Sequence, residues 1–232
     1  MTNKYPQLKN PPIKEAVIQL LVEPSETYTS DLLNKFKESE KSNYPTSLVQ
    51  KETLIQFMTG SDDQQTGVTD KGISGYKISS KDELNIVQVF KDRFAVSRLD
   101  SYSTWDNLLS EAQRLWVTYL DILKPKAIKG ISVRYINHFM LPPDMENFED
   151  YLESTPSIPE DLPQALASFY VSYKLPNPEN GAIANVQLLF EGVRFEDGTK
   201  EPKLPIVLDT DIQLITKIKP EDNEAMCAQF NL

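Results

Sequence analysis

The alternation of apolar and polar positions along this chain predicts that it is built largely from β-strands. The clearest case is Glu15 to Glu23, where every second residue is apolar, which is the period of a strand with one buried face. Short loops separate successive strands and favour antiparallel pairing. The polar, glycine-containing stretch 60–71 is predicted to be a mobile hairpin loop. The predicted strands span residues 15–23, 47–59, 72–79, 84–91, 93–99, 128–140, 166–175, 182–191 and 204–218.

Apolar residues at three-and-four spacing predict two helices. The long one spans Ser103 to Leu123, with Ser103 as its N-cap and Pro125 just beyond its end. Both tryptophans of the chain, Trp105 and Trp116, lie on its apolar stripe, so we expect both to be largely buried against a sheet. A shorter helix is predicted from Ser30 to Lys41.

These elements predict an α+β fold in which an antiparallel sheet is covered by one long amphipathic helix and one short helix. With 232 residues, the chain is either a single domain, 1–232, or two intimately packed halves, 13–100 and 101–232. In the second interpretation the halves share a similar β-α-β-β order. The residues show no convincing internal repeat, so both interpretations stay open.

The charged residues are distributed unevenly. The chain carries 24 basic and 34 acidic residues, and its net charge of −10 argues against a nucleic-acid partner. Residues 141–232 hold 17 acidic and six basic residues, whereas residues 1–140 are nearly balanced, with 17 and 18. Between Leu141 and Tyr173 there is no lysine or arginine, so this proline-containing stretch is predicted to be a solvated acidic connection.

Composition also limits the compartment and the chemistry. Cys227 is the only cysteine, so no intramolecular disulfide can form, and no apolar run in the sequence predicts a signal peptide or a membrane-spanning helix. These features predict a soluble, cytoplasmic protein without a membrane partner. One histidine and one cysteine, distant in sequence, cannot build the common zinc sites, and no phosphate-cradling glycine loop is present. We therefore expect no cofactor.

Three residues carry weak catalytic signals. His138 could serve as a general base, but no nucleophile motif accompanies it, so a structural role is favoured. Asp209 and Asp211 alternate on one face of a predicted strand, about 7 Å apart, where they could share a hard cation. An exposed polar face explains the two aspartates more simply. We therefore assign no catalytic residue and no metal ligand.

Two arginines inside predicted strands define a candidate ligand site. Arg98 precedes the long helix, and a strand returning antiparallel along that helix brings Arg134 back towards the helix start. A guanidinium in a sheet must reach the rim, pair with a carboxylate or receive an anionic ligand. We predict that Arg98 and Arg134 approach one polar region near the start of the long helix, with Tyr102 and Asn137 as hydrogen-bonding neighbours. As a ligand site, this region would bind a small anionic or carbonyl-bearing ligand. The favoured alternative is that each arginine pairs with a carboxylate of the protein.

Three stretches of the chain resemble a sporadically distributed family of uncharacterised bacterial and archaeal proteins. They are the opening Tyr5-x-x-Leu8 with Pro11 to Val17, then Arg98 to Trp105, then Gly130 to Asn137. The resemblance extends, in order and spacing, over most of the chain. It implies a patchy accessory gene with no established activity, and it supplies no catalytic residue. Members of that family continue into a longer C-terminal helix, so the resemblance also implies that this chain, ending at Leu232, is truncated.

Two functions from different classes are consistent with these observations. The favoured hypothesis is an accessory protein of a mobile or defence-type locus that works as a non-enzymatic ligand- or protein-binding module, because catalytic motifs are missing. The alternative is a hydrolase or transferase that uses carboxylates and arginines. An antiparallel sheet leaves edge strands that must be covered or paired, so we also expect a homodimer.

Overall fold

The structure, a computed structural model, describes residues 8–59, 64–100, 102–153, 155–195 and 201–230, without the side chains of residues 52–59 and 64–71. Within these residues the chain has an α+β fold with a large antiparallel sheet and three α-helices. None of these helices is both long and apolar enough to cross a membrane. The strands are β1 (Ile13–Glu23), β2 (Thr46–Thr59), β3 (Gln64–Ser79), β4 (Asn85–Phe90), β5 (Arg93–Leu99), β6 (Ala127–Leu141), β7 (Phe169–Pro176), β8 (Ile183–Phe190), β9 (Arg194–Phe195) and β10 (Pro202–Ile218). The helices are α1 (Ser30–Ser39), α2 (Trp105–Leu123) and α3 (Asn223–Gln229), with a short 3-10 helix at Phe148–Asp150.

The residues group into two compact units, each assembled from three segments of the chain. Unit 1 comprises the chain up to Ala16, Asp100–Tyr102 and Val133–Leu214. The remaining segments, Val17–Leu99, Ser103–Ser132 and the chain from Ile215 onward, form unit 2. Strands β1, β6 and β10 each contribute one stretch to unit 1 and another to unit 2. The division into sequential halves, 13–100 and 101–232, stays a prediction.

In unit 2 the strand order is β2-β3-β4-β5-β1-β6, and β2 to β5 pair antiparallel in succession. The predicted mobile loop at 60–71 is wrong over residues 64–71, which belong to β3 and pair with β2 as far as Thr59↔Gln64. Residues 60–63 lie outside the described residues. Pairing uses backbone N–H and C=O groups, so polar side chains and a glycine did not prevent it.

Helix α2 begins at Trp105, about one turn before Leu108, the first buried residue of its apolar stripe. Its N-cap is Thr104, whose hydroxyl accepts a hydrogen bond from the Asn107 N–H at 3.3 Å, so the prediction of Ser103 as the cap is wrong by one residue. Trp116 is completely buried, as predicted. Trp105 is only partly buried, and its ring contacts Phe230 with centroids 5.8 Å apart.

Four aromatic rings form the centre of the core of unit 2. Phe36 comes from α1, Phe94 from β5, and Trp116 and Tyr119 from α2. Trp116 and Tyr119 stack with their centroids 5.1 Å apart, and Phe94 lies 5.6 Å from the Trp116 ring. The indole N–H of Trp116 donates to the Pro220 carbonyl at 3.2 Å, so the buried donor is satisfied. These contacts fix α2 against β5.

A polar network joins α1 and α2 beside this aromatic core. The carboxylate of Glu40, only 5% exposed, accepts two hydrogen bonds from Arg114, at 3.1 and 2.9 Å, and one from the Thr118 hydroxyl at 3.1 Å. Arg114 also binds Glu111, which accepts a hydrogen bond from the Tyr44 hydroxyl at 2.7 Å. Every charged group of the network therefore has a partner, as buried charges require.

We expect the network to make stability depend on pH in the acidic range. Burial would raise the pKa of Glu111, but hydrogen bonds from Arg114 and Tyr44 lower it below its usual value of 4.5. Because the folded state then binds fewer protons than the unfolded state, the free energy of unfolding should fall as the pH drops from about 4.5 through the folded pKa. Urea unfolding between pH 7 and pH 3 measures this slope. Glu111→Gln should flatten it, and identical slopes in both proteins would contradict the assignment.

In unit 1 the strand order is β6-β10-β8-β7, with β9 paired to β10. The core of this unit lies on one face of the sheet, and the segment between β6 and β7 folds over it. Phe148 contacts the rings of Phe169 and Phe190, with centroids 5.2 and 5.1 Å apart. The stretch predicted as a solvated acidic connection therefore also contributes apolar residues to a core. The buried members of this core are Leu141, Phe169, Leu188, Phe190, Leu204 and Ile206.

Candidate functional site

The four predicted ligand residues fall in both units. Arg98 lies near the end of β5 in unit 2, whereas Tyr102, Arg134 and Asn137 lie in unit 1. Convergence of the two arginines on one polar region therefore stays a prediction.

Arg134 lies on the polar face of unit 1 and pairs with Asp209. Its Nε donates to Asp209 at 2.8 Å and its Nη2 donates to the second oxygen of the same carboxylate, so the contact is bidentate. The hydrogen bond to Asp209 raises the pKa of the guanidinium, burial opposes it, and the charges of Asp211 and Glu15 add to the rise. Arg134 is therefore surrounded by more negative charge than it carries, and an anionic ligand would compete with Asp209.

The other two unit 1 residues make protein contacts as well. The hydroxyl groups of Tyr102 and Tyr135 lie 3.2 Å apart, within hydrogen-bonding distance, and their rings meet edge to face. The side-chain amide of Asn137 donates to the Leu208 carbonyl at 3.3 Å. Burial and the Tyr102 hydroxyl raise the pKa of Tyr135. These contacts tie the strand β6 to its neighbours, so both predicted hydrogen-bonding residues have structural roles.

Arg98 occupies a different environment in unit 2. Its Nη1 donates to the side chain of Asn85 at 3.2 Å and lies 4.0 Å from the Asp82 carboxylate. Beside it lies an open hollow of about 550 Å³, lined by Ser80, Lys81, Asp82 and Asn85. The hydroxyl of Ser80 and the backbone N–H of Leu84 lower the pKa of Asp82. The hollow thus combines one cation, Lys81, with one carboxylate, Asp82, on an exposed hairpin.

The geometry limits the chemistry of these residues. Both arginines have acidic neighbours, so the alternative of internal pairing accounts for their contacts. Among the residues that the structure describes, no group of three or more His, Cys, Asp or Glu side chains could hold a metal ion. Asp209, one of the two weak cation candidates, is engaged by Arg134. The anionic ligand site stays a prediction.

Sequence reasoning missed a different surface, on the apolar face of unit 1. This face has a covered end, at Phe169 and Phe190, and an open end, which we define as Tyr173, Leu175, Val186 and Ile212. The register places Leu175 and Ile212 on either side of Ala184. Leu175 is 51% exposed and Ile212 is 47% exposed. Alternation revealed that each strand has an apolar face, but only the sheet order shows that the open end is contiguous.

The open end borders the edge of the sheet formed by β7. In the described part of the chain, β7 pairs only with β8. The Asn177 N–H donates to the Ala182 carbonyl at 2.7 Å, and antiparallel pairs alternate between bonded and non-bonded, so the odd-numbered residues of β7 bond to β8. The N–H and C=O groups of Tyr170, Ser172 and Lys174 consequently point away from β8. We call this row the β7 edge.

Similarity to other proteins does not extend this description. Neither a protein-family model nor a curated protein matches this sequence. The resemblance to the sporadically distributed bacterial and archaeal family therefore stays a prediction.

Proposed function

We propose that this chain is a non-enzymatic interaction module that binds a protein partner by adding a strand of that partner to the β7 edge. The observation that carries the proposal is a regular edge strand whose outward backbone groups border an exposed apolar surface. A strand added to such an edge gains main-chain hydrogen bonds, and pockets for alternate side chains give specificity.

The composition of β7 supports this use of its edge. Tyr170 is 59% exposed, and Leu175 and the rest of the open end lie on the opposite face, so an added strand could contact apolar surface on both faces. Edge strands that are not used for binding are blunted by bulges, prolines or charges. Of these blunting features, β7 has only one charged residue, Lys174, and one proline, Pro176, which is the last residue of the strand.

The other parts of the sequence hypothesis belong to the same proposal. We propose that the protein acts in the cytoplasm as an accessory protein of a mobile or defence-type locus, in line with the family that it resembles. We also propose that α1 and α2 cover the sheet and that the chain consists of two similar β-α-β-β halves. Binding is favoured over hydrolase or transferase chemistry because the arginines and Asp209 already bind protein groups.

Removing a single backbone N–H from the β7 edge and measuring partner binding tests the proposal. Ser172→Pro removes an outward N–H that β8 does not use, whereas the matched control Ser172→Ala keeps it. A photo-crosslinking residue at Tyr170, in the natural host, should form an adduct whose partner is identified by mass spectrometry. Binding of the purified partner should be unchanged by Ser172→Ala and weakened at least about tenfold, or about 1.4 kcal/mol, by Ser172→Pro. Equal binding by the two variants would contradict the proposal.

A further inference from the structure

We infer that the strand added to the β7 edge is β7 of a second copy of this chain, paired antiparallel about a two-fold axis at Ser172. The inference rests on the proposed function and names its partner. An isologous contact of this kind uses the same surface on both copies, so it closes as a dimer.

The backbone selects this register. With the axis at Ser172, Tyr170 faces Lys174 of the second copy, Ser172 faces itself, and Lys174 faces Tyr170. Every outward N–H and C=O of these three residues then has a partner. Moving the axis by one residue to position 173 places Tyr170 opposite Pro176, which has no N–H, so the Tyr170 carbonyl stays unpaired. The Ser172 register avoids this loss.

The side chains agree with the same register. On the polar face, each Lys174 ammonium lies beside the Tyr170 ring of the other copy, a favourable cation–π arrangement. An axis at Lys174 would instead oppose two like charges, which is destabilising. Lys174 is the one charged residue of β7, so the register that separates the two lysines also pairs each with an aromatic ring.

The apolar face gives the strongest argument for a second copy. In this register Leu175 of one copy lies opposite Phe169 of the other. Phe169 belongs to the covered end of the apolar face, where the Phe148 ring packs on it. The open end of each copy is thereby brought next to the covering segment of its partner, and both exposed ends gain apolar contacts at once.

The edge at β2, the strand at the opposite end of the described strand order, is less suitable. Strand β2, the terminal strand of the unit 2 order, has register shifts between Gln50 and Lys51 and between Lys51 and Thr53. Such bulges twist an edge and interrupt its row of hydrogen-bonding groups. The register of β7 on β8 runs from Phe169 to Pro176 without a shift, so β7 offers the regular edge.

The mass of the protein in solution tests the inference. Light scattering at about 100 µM should give twice the 26.4 kDa mass of one chain for the wild type and for Ser172→Ala, because a weak edge contact is populated at concentrations above its Kd. Ser172→Pro should give the mass of one chain. Circular dichroism checks that Ser172→Pro is folded. A wild type that is monomeric, or a dimer that survives Ser172→Pro, would overturn the inference.

Disulfide trapping tests the register without a proline. In a Cys227→Ser background, Ser172→Cys places two thiols on opposite residues, about 5.5 Å apart between Cα atoms, within disulfide range. Lys174→Cys is the matched control on the same edge, because its two copies lie about 13 Å apart along the strands. Rapid oxidation of the first variant alone supports the Ser172 axis. Equal or faster oxidation of Lys174→Cys would overturn it.

The two proposals can fail separately. If the wild type is monomeric, binds another protein at Tyr170 and loses that binding in Ser172→Pro, the dimer is rejected and the proposal of an interaction module is retained. If the wild type is monomeric and its partners bind Ser172→Pro as tightly as the wild type, both proposals are rejected.

Discussion

Trp116→Ala is expected to lower the free energy of unfolding by about 3–5 kcal/mol, the usual range for deleting a buried tryptophan side chain. The indole has no exposed surface and contacts the rings of Phe94 and Tyr119, so its removal leaves a cavity lined by aromatic rings. The Pro220 carbonyl also loses its hydrogen bond. Urea unfolding followed by circular dichroism measures the loss.

Trp105→Ala is the matched control on the same helix. Its ring is only partly buried and packs against Phe230, so the loss should be clearly smaller than that of Trp116→Ala. If the two variants lost equal free energy of unfolding, the aromatic cluster would not be the main source of stability in the core of unit 2. A loss below about 1 kcal/mol for Trp116→Ala would contradict its burial.

Arg114→Met is expected to destabilise the protein by about 3 kcal/mol, because it leaves the Glu40 carboxylate buried without its charge partner. The expected effect lies at the low end for a broken buried pair, since the Arg114 side chain is 42% exposed and water reaches part of the site. Methionine keeps much of the volume of the arginine stem, so the loss reports mainly on charge. Unfolding of the variant in urea at pH 7 gives the number.

A second substitution separates charge from packing. Adding Glu40→Gln to Arg114→Met removes the unpaired carboxylate and should recover part of the stability, whereas two independent losses would add. Additive losses in this double-mutant cycle would show that Arg114 and Glu40 are not energetically coupled. Lys126→Ala, at an exposed ion pair with Glu26, is a surface control that should change stability little.

The sequence was sufficient where one period dominates a long segment. The stripe of α2 predicted the helix to within two residues at its start, and the alternation in β1 and β10 predicted those strands, because burial of one face leaves a regular pattern. The start of β3 was missed because its polar residues carry no such pattern. Pairing there is decided by backbone groups and by the neighbouring strand, which a local pattern does not contain.

The candidate site was less predictable than the fold. Strand alternation indicated correctly that Arg134 and Asp209 lie in strands, but it could not show that they pair, because the order β6-β10 joins residues 75 positions apart. The β7 edge depends on the same long-range order. Whether a strand lies at the edge of a sheet depends on the strands beside it, so the sequence of residues 169–176 alone could not predict that β7 is an edge strand.

The assembly of each unit from three segments has a consequence for synthesis and folding. No single cut of the polypeptide separates unit 1 from unit 2, since β1, β6 and β10 each run through both. During translation, the strand order of unit 1 cannot be completed before β10 has left the ribosome, and unit 2 waits for the residues from Ile215 onward. Folding therefore depends on closing long loops late, which makes it slow and keeps apolar strands exposed to chaperones until the residues from Ile215 onward have been made.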